Sequence, residues 1–364
     1  MSSESIKQIK ETLKKPTPKE IPVEFITTGS TMLNLALSGK GVDGGWARGR
    51  IANLVALGSA GKSLIALETA ANFYYNMEGN ESINFPKVKT PIVIYNNVET
   101  VMDFPVSDMY GEEFKNNITW KNIPTIEETG RDFANYVFTL KKGESLLYVI
   151  DSWDALKTQE NIEEFEKAAK TNTKEKSGFN LNKQKYGTQQ FFPNICTVME
   201  KKDVTLLIIS QVRDKIGVSY GPTQTRTGGM ALDFYTHQVC WFRQTEKLKK
   251  QVKGRERIYG TKVEADIKRN KVAKPYRKAS FTILFDYGVD DISSMLDWYF
   301  GPKKALPSDI DFFPIKFPKN TKVTRKFLLD FIEENNYEDL LKEEITKEWL
   351  RIEDSFKTNR KKKF

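Results

Sequence analysis

The sequence predicts an α/β fold: a mostly parallel sheet flanked by helices, with a short N-terminal helical arm and a small helical C-terminal domain. Three features of the 364-residue chain carry this expectation. From Ile51 onward, apolar runs of strand length alternate with helical patterns, the rhythm of a parallel sheet covered on both faces. The first run leads through a Gly/Ser-rich turn into a helical pattern, the setting of a phosphate-binding loop. After about Asp290 the chain changes to charged amphipathic helices. The expected division is therefore an arm and linker over 1–22, a core over 23–290, and a helical domain with a basic tail over 291–364.

Residues 4–15 read as a short basic helix with Ile6, Ile9 and Leu13 on one side, followed by a linker holding Pro16, Pro18 and Pro22. A helix this short is marginal alone, so it either docks on its own core or a neighbouring subunit, or frays. Parallel strands are expected at 51–57, 91–98, 146–150 and 204–210. Leu64, Leu67, Ala71 and Tyr74, and then Phe133, Val137 and Leu140, recur between them at helical spacing. The runs 237–243, 262–269 and 280–285 have no intervening helices and extend the sheet by hairpin-like connections. Helices are expected at 325–335 and 339–356. The tail 357–364 carries five basic residues and no acid; it is open to nucleic acid or simply solvated.

Hydrophobic residues make up 39% of the chain and charged residues 29%, the composition of a folding chain. A formal charge of +9 favours a polyanionic partner. Cys196 and Cys240 are the two cysteines and have no metal-type spacing, so they read as buried thiols in a reducing cytoplasm. No apolar run approaches a membrane span, and no membrane partner is expected. His237 is the sole histidine, which leaves a Ser/His/Asp triad or a multi-imidazole metal site almost no material.

The run Val55-Ala56-Leu57-Gly58-Ser59-Ala60-Gly61-Lys62-Ser63 carries the chemistry. Gly58 and Gly61 let the backbone N–H groups converge on phosphate oxygens. Lys62 reaches the β and γ phosphates of a nucleoside triphosphate, and Ser63 holds Mg²⁺. The helix that starts there adds its positive dipole end. Ala56 stands where the motif usually has Gly, which is acceptable if the backbone there needs no positive φ. Asp151 closes the apolar run 146–150, where it either holds the metal side or caps the next element. Glu99 follows the strand 91–98 at the edge expected for the γ-phosphate and is the candidate base; the alternative is an acid that starts the next turn. Asp103 either borders the nucleoside or starts a helix. Gln211 ends the strand 204–210 at the same edge, either as a phosphate sensor or as a solvated amide.

Residues 212–229 include Arg213, Lys215, Tyr220 and Arg226 with four glycines and no hydrophobic period. They read as a long loop suited to single-stranded DNA, with cations for phosphates and small apolar groups to wedge between bases. The stretch 171–188, rich in Lys, Asn and Gly, either lines the same surface or is a solvated insertion.

In order and spacing, these segments resemble the RecA family of homologous-recombination ATPases. The resemblance runs from Thr28-Gly29-Ser30 and Leu35-Ala36-Leu37-Ser38-Gly39 through Gly49-Arg50-Ile51, the phosphate loop, Val98-Glu99-Thr100 and Val149-Ile150-Asp151-Ser152. It continues through Ser210-Gln211-Val212-Arg213, Thr227-Gly228-Gly229-Met230 and Lys268-Arg269-Asn270-Lys271. It implies a RecA-like nucleotide-binding core that takes ATP and Mg²⁺ over Ala56, Leu57, Gly58, Ser59, Ala60, Gly61, Lys62, Ser63 and Leu64, with Asp103 beside the nucleoside. Ser63 and Asp151 would be the metal-side groups, Glu99 would activate water, and Gln211 would couple nucleotide to DNA. Arg213, Lys215, Ile216, Gly217, Val218, Tyr220, Arg226, Thr227, Gly228 and Gly229 would form a DNA loop. Arg269 and Lys271 match two cations that in RecA filaments reach the neighbour's triphosphate. Where the family has Lys, Arg269 keeps the charge and changes its shape.

The resemblance further implies a DNA-dependent ATPase that forms helical filaments on single-stranded DNA and pairs them with homologous double-stranded DNA. Loading or single-strand-binding proteins are its expected partners, and the cytoplasm its expected place. Several departures fit a divergent member such as a phage encodes, in which case the compartment is the host cytoplasm. Ala56 and Leu57 alter the loop, Leu64 replaces a second hydroxyl and Asn97 replaces an acid, all of which suggest slow hydrolysis. Two other functions fit these residues: a recombination mediator that binds nucleotide with little turnover, and a hexameric helicase on the same core.

Overall fold

The computed structural model describes residues 22–99, 105–171, 183, 185–199, 201–214, 224–226, 229–301 and 323–361, together with 306, 307, 310, 312–314 and 317. The expected N-terminal helix lies outside them.

Six parallel strands form the centre: β3 (Ile51–Ala56), β4 (Thr90–Asn97), β5 (Thr119–Lys121), β6 (Glu144–Asp151), β7 (Val204–Asp214) and β9 (Gln238–Val252). In space they run β9-β3-β7-β6-β4-β5. β10 (Arg255–Asn270), β11 (Lys278–Leu284) and β12 (Gly288–Asp290) continue antiparallel beyond β9, as the absence of intervening helices requires. The short β1 (Phe25–Ile26) and β2 (Trp46–Ala47) form a separate pair. β3, β6 and β7 up to Ser210 are buried almost throughout, which explains their unbroken apolar runs.

Helix Lys62–Asn76 buries Leu64, Ile65, Leu67, Ala70, Ala71 and Phe73 against one face. At roughly 1.5–3 kcal/mol for each large apolar side chain, this packing anchors the phosphate loop at its helical end. Helices Ile126–Thr139 and Phe192–Met199 cover the other face with Phe133, Val137, Phe192 and Ile195. The C-terminal helices Asp291–Phe300, Arg325–Asn335 and Glu338–Ser355 are capped at their starts or packed by Met295, Leu328, Ile332, Leu341, Ile345 and Trp349. These side chains join the same buried cluster as Leu33, Leu37 and Phe281 of the core.

Four expectations change. β9 and β10 run far beyond 237–243 and 262–269, because their outer halves are exposed on both faces and carry no hydrophobic alternation. The stretch 212–229 is not all loop: β7 continues to Asp214 and pairs antiparallel with β8 (Gln224–Arg226), so Arg213 and Arg226 sit in strands at the loop's base. Helix Gly229–Tyr235 also begins at Gly229. In the stretch 171–188, Lys183 is buried and donates to the carbonyls of Trp153 and Asp154 instead of facing solvent. Cys240 is a buried thiol as expected, whereas Cys196 is half-buried.

Candidate nucleotide and nucleic-acid site

The site forms at the carboxyl edge of β3, β4, β6 and β7, where ligands of open parallel sheets bind. Register fixes its geometry: Ala56 is level with Gln211, and Asn97 with Asp151. The buried Asn53 amide strengthens this alignment by donating from β3 to the Ile208 carbonyl (2.8 Å) and the Ser210 hydroxyl (2.9 Å) of β7.

Ala56 is the buried last residue of β3 and its φ is not positive, so alanine is acceptable there. Gly61 has φ +81°, and a Cβ there would lie 2.4 Å from Ile283 Cδ1. Gly58 has neither constraint: its φ is not positive and open space surrounds it, so the local backbone does not demand glycine. Ser59 takes the other left-handed conformation, at φ 58°. Ala60 is buried and Leu57 half-exposed. Leu64, counted among the nucleotide residues from the sequence, points its side chain into the core, which leaves its backbone as the group available to a ligand.

The Lys62 ammonium donates to the carbonyls of Leu57 (2.8 Å) and Ala56 (3.2 Å). Burial lowers its pKa, opposed by the nearby Asp151, Glu99 and Asp154 charges. The buried Asp151 carboxyl accepts from Tyr95 Oη at 2.8 Å. Burial raises its pKa, while hydrogen bonds from Ser63 and Tyr95 and the Lys62 charge lower it. A hydroxyl beside one carboxylate is a donor set that suits Mg²⁺, which keeps several waters and takes few protein ligands.

Glu99 lies just past β4 and is exposed. Its Oε1 accepts from Ser152 Oγ at 2.6 Å and from Gln211 Nε2 at 2.7 Å. The Gln211 backbone N–H donates to Asp154 Oδ2 at 2.6 Å. The candidate base and the candidate sensor are thus directly bonded, although 112 residues separate them in sequence. The sequence reading missed Tyr95, Ser152 and Asp154. Tyr95 is hidden inside an apolar strand, but Ser152 and Asp154 stand in the run after Asp151, where the strand-end argument would have found them.

Arg269 and Lys271 lie elsewhere. Arg269 is level with Val239, and Lys271 N–H donates to the His237 carbonyl (2.8 Å), just before the start of β9. They therefore sit toward the amino edge of the sheet, about three (Arg269) and five (Lys271) strand residues, or ~10 and ~16 Å along the strands, below the end of β3 that leads into this chain's own phosphate loop. The Lys271 ammonium donates to the Phe234 carbonyl at 2.6 Å. Asp103, Lys215, Ile216, Gly217, Val218, Tyr220, Thr227 and Gly228 lie outside the described residues; Arg213, Arg226 and Gly229 are placed by their backbone alone.

The family described as the RecA N-terminal domain matches residues 7–290. The chain belongs to the RecA family. It is similar to the RecA protein of a Nitratiruptor species, 30% identical over 76% of this chain and 71% of that protein. It is likewise 29% identical to the RecA proteins of Streptomyces venezuelae and Treponema denticola, over 76% of this chain and 64% and 58% of theirs. The match thus spans less than two thirds of some RecA relatives. Within the described residues, no helix is long and apolar enough to cross a membrane.

Proposed function

We propose that this RecA-family chain is an ATP-dependent DNA recombinase that assembles as a helical filament on single-stranded DNA and pairs it with homologous duplex. The observation that carries the reading is the Glu99–Gln211 hydrogen bond, because it ties the nucleotide edge of β4 to the strand that leads into the expected DNA loop. Family membership and RecA relatives at about 30% identity support the general role.

In this reading the Lys62 ammonium exchanges its two carbonyl partners for phosphate oxygens when ATP binds. Ser63 and Asp151 would hold Mg²⁺, which supplies charge neutralisation at the β and γ phosphates. Glu99 orients and deprotonates the attacking water. Gln211, released from Glu99, donates to the γ-phosphate oxygen and moves with it the base of the loop at Arg213. Arg269 and Lys271, on the opposite edge, serve the neighbour's triphosphate. The exposed Tyr287 follows β11, the strand whose Ile283 packs on the loop at Gly61, and is a candidate face for the nucleoside base. Residues 1–22 act as the polymerisation arm, 23–290 as the ATPase core and 291–364 as the C-terminal domain. Loading or single-strand-binding proteins complete the expected partners.

Electron microscopy with a slowly hydrolysed ATP analogue and single-stranded DNA tests this reading. Helical filaments are expected; closed rings would favour a hexameric helicase. A second reading, nucleotide binding with little turnover, draws on Asn97, an amide level with Asp151. Absent DNA-stimulated hydrolysis by a DNA-bound chain would favour it.

A further inference from the structure

Glu68 lies about six residues, or ~9 Å, beyond Lys62 on the helix that begins at the phosphate loop. The backbone around it makes room for a carboxyl group and for nothing more. Gly29 (φ +84°) and Gly288 (φ +104°) close on it so tightly that a Cβ would lie 2.3 Å from its Cγ at the first and 2.7 Å from its Oε2 at the second. Two hydrogen bonds hold it in this notch. Tyr110 Oη, at the end of helix Val106–Tyr110, donates to Oε2 at 3.1 Å, and the Val289 N–H of β12 donates to the same carboxyl.

The two bonds tie together elements that flank the proposed nucleoside position. Helix Val106–Tyr110 follows the β4 end that carries Glu99, and β12 follows Tyr287, the candidate face for the base. A cavity of about 390 Å³, bordered by Gly29, Tyr287, Val289, Asp291 and Met295, opens beside the notch and gives water a route to it. Among the described residues, no cation bears on the carboxyl. Tyr110 from its helix, Tyr287 from the turn before β12 and Asp291 from helix Asp291–Phe300 lie in its field, and Asp291 opposes its ionisation. Residues 27–30 bring only Thr, Gly and Ser. Asp290 accepts from the Ser293 N–H at 3.0 Å, and Lys342, which lines the cavity with Glu333 and Glu338, acts on Asp291.

We infer that Glu68 is a positioning residue of the nucleoside site: uncharged, it clamps helix Val106–Tyr110 and β12 in place beside Tyr287, and charged, it releases them. The reason is solvation. A carboxylate with no cation beside it is stabilised by water, and it reaches water by leaving the notch, which breaks both bonds at once. Burial accordingly raises the carboxyl from 4.5 to about 7, which places the change within the ordinary range of solution pH. The inference rests on the proposed nucleotide-binding function and adds to it a control over the nucleoside half of the ligand.

The test measures, by calorimetry on the full-length protein with Mg²⁺, the affinities for a slowly hydrolysed ATP analogue and for inorganic tripolyphosphate across a pH series. Tripolyphosphate engages the phosphate loop without a nucleoside and is the reference; its binding also shows that each variant is folded. The clamped value, about 7, lies above the released value of 4.5, so the clamp is full at low pH and is lost as pH rises. The parental preference for the nucleotide over tripolyphosphate should fall by up to about tenfold between about pH 6 and pH 8. Glu68→Gln cannot ionise and keeps an oxygen for both donors, so it should hold the low-pH preference throughout. Tyr110→Phe removes a donor that favours the charged form, so its midpoint should move to higher pH, whereas a merely structural role would leave the midpoint in place. A parental preference that ignores pH, or rises with it, overturns the inference. So does a Glu68→Gln profile that still falls, which would assign the titration to Asp291. An equal fall for tripolyphosphate that Glu68→Gln abolishes overturns it too, by placing the effect on the phosphate loop. A parental protein that binds neither ligand defeats the proposed nucleotide site itself, an outcome distinct from all of these.

Discussion

The two glycines of the phosphate loop should respond oppositely to a single methyl group. At Gly61, alanine must adopt φ +81° and place its Cβ 2.4 Å from Ile283 Cδ1. The left-handed backbone costs an L-residue about 1–2 kcal/mol, and relieving the overlap roughly 1–3 kcal/mol more. Gly61→Ala should therefore lose about 2–5 kcal/mol in urea unfolding. Gly58→Ala, with open space and no positive φ, should stay within about 1 kcal/mol of the parent. The clashing atom is the δ-methyl that Ile283→Val removes, at a cost of about 0.5–1.5 kcal/mol by itself. The double variant should thus be more stable than the two single losses predict, by roughly 1–3 kcal/mol, while the backbone strain persists. The reasoning is refuted if Gly61→Ala unfolds at the parental denaturant concentration, or if the two substitutions are additive.

Lys62→Ala should abolish measurable ATP binding in a nucleotide titration, because the loop loses its side-chain cation; unchanged affinity would mean the loop has been misread. Glu99→Gln keeps an oxygen for Ser152 and Gln211 but removes the base, so ATP and DNA binding should persist while hydrolysis nearly stops. Parental turnover would move the base elsewhere. Burial raises the Glu68 carboxyl from 4.5 to about 7, against a hydrogen bond from Tyr110. A folded pKa above the unfolded one means that its stability is full below about pH 4.5 and is lost as pH rises through 7, by about 3 kcal/mol. Glu68→Gln should flatten that segment of the stability curve, and an unchanged pH profile counts against the assignment. Substituting Arg213 should lower the single-strand salt slope by about 0.7, whereas Tyr220→Ala should leave the slope alone and cost roughly 1–3 kcal/mol. If neither changes binding and deletion of the tail 357–364 does, the tail is the DNA contact.

The phosphate loop was legible because its signal is local: contiguous residues, a strand before and a helix after. Glu99, Asp151 and Gln211 were legible at one remove, since each follows an unmistakable apolar run and parallel strands bring the ends of such runs to one edge. Their bonding partners were not, because Tyr95 has the same hydrophobic signature as its strand neighbours and its hydroxyl acts only through the register with Asp151. The distinction between Gly58 and Gly61 depends on Ile283, more than two hundred positions away, and no local pattern carries it. The outer halves of β9 and β10 escaped for a different reason: with both faces in water, 249–258 has no apolar period to betray a strand.

Arg269 and Lys271 stand at the opposite edge of the sheet from the phosphate loop, and this gives the molecule a polarity. A two-fold pair that joined loop to cations would fill both sites at once and close on itself, so it could not grow. In the proposed assembly each junction combines one chain's front with the next chain's back, so the terminal copies always expose one unfilled half. A chain defective at one edge would then still be recruited through the other and would poison only the junction on its damaged side. Activity lost in mixtures would then rise in proportion to the fraction of defective chains, one junction for each.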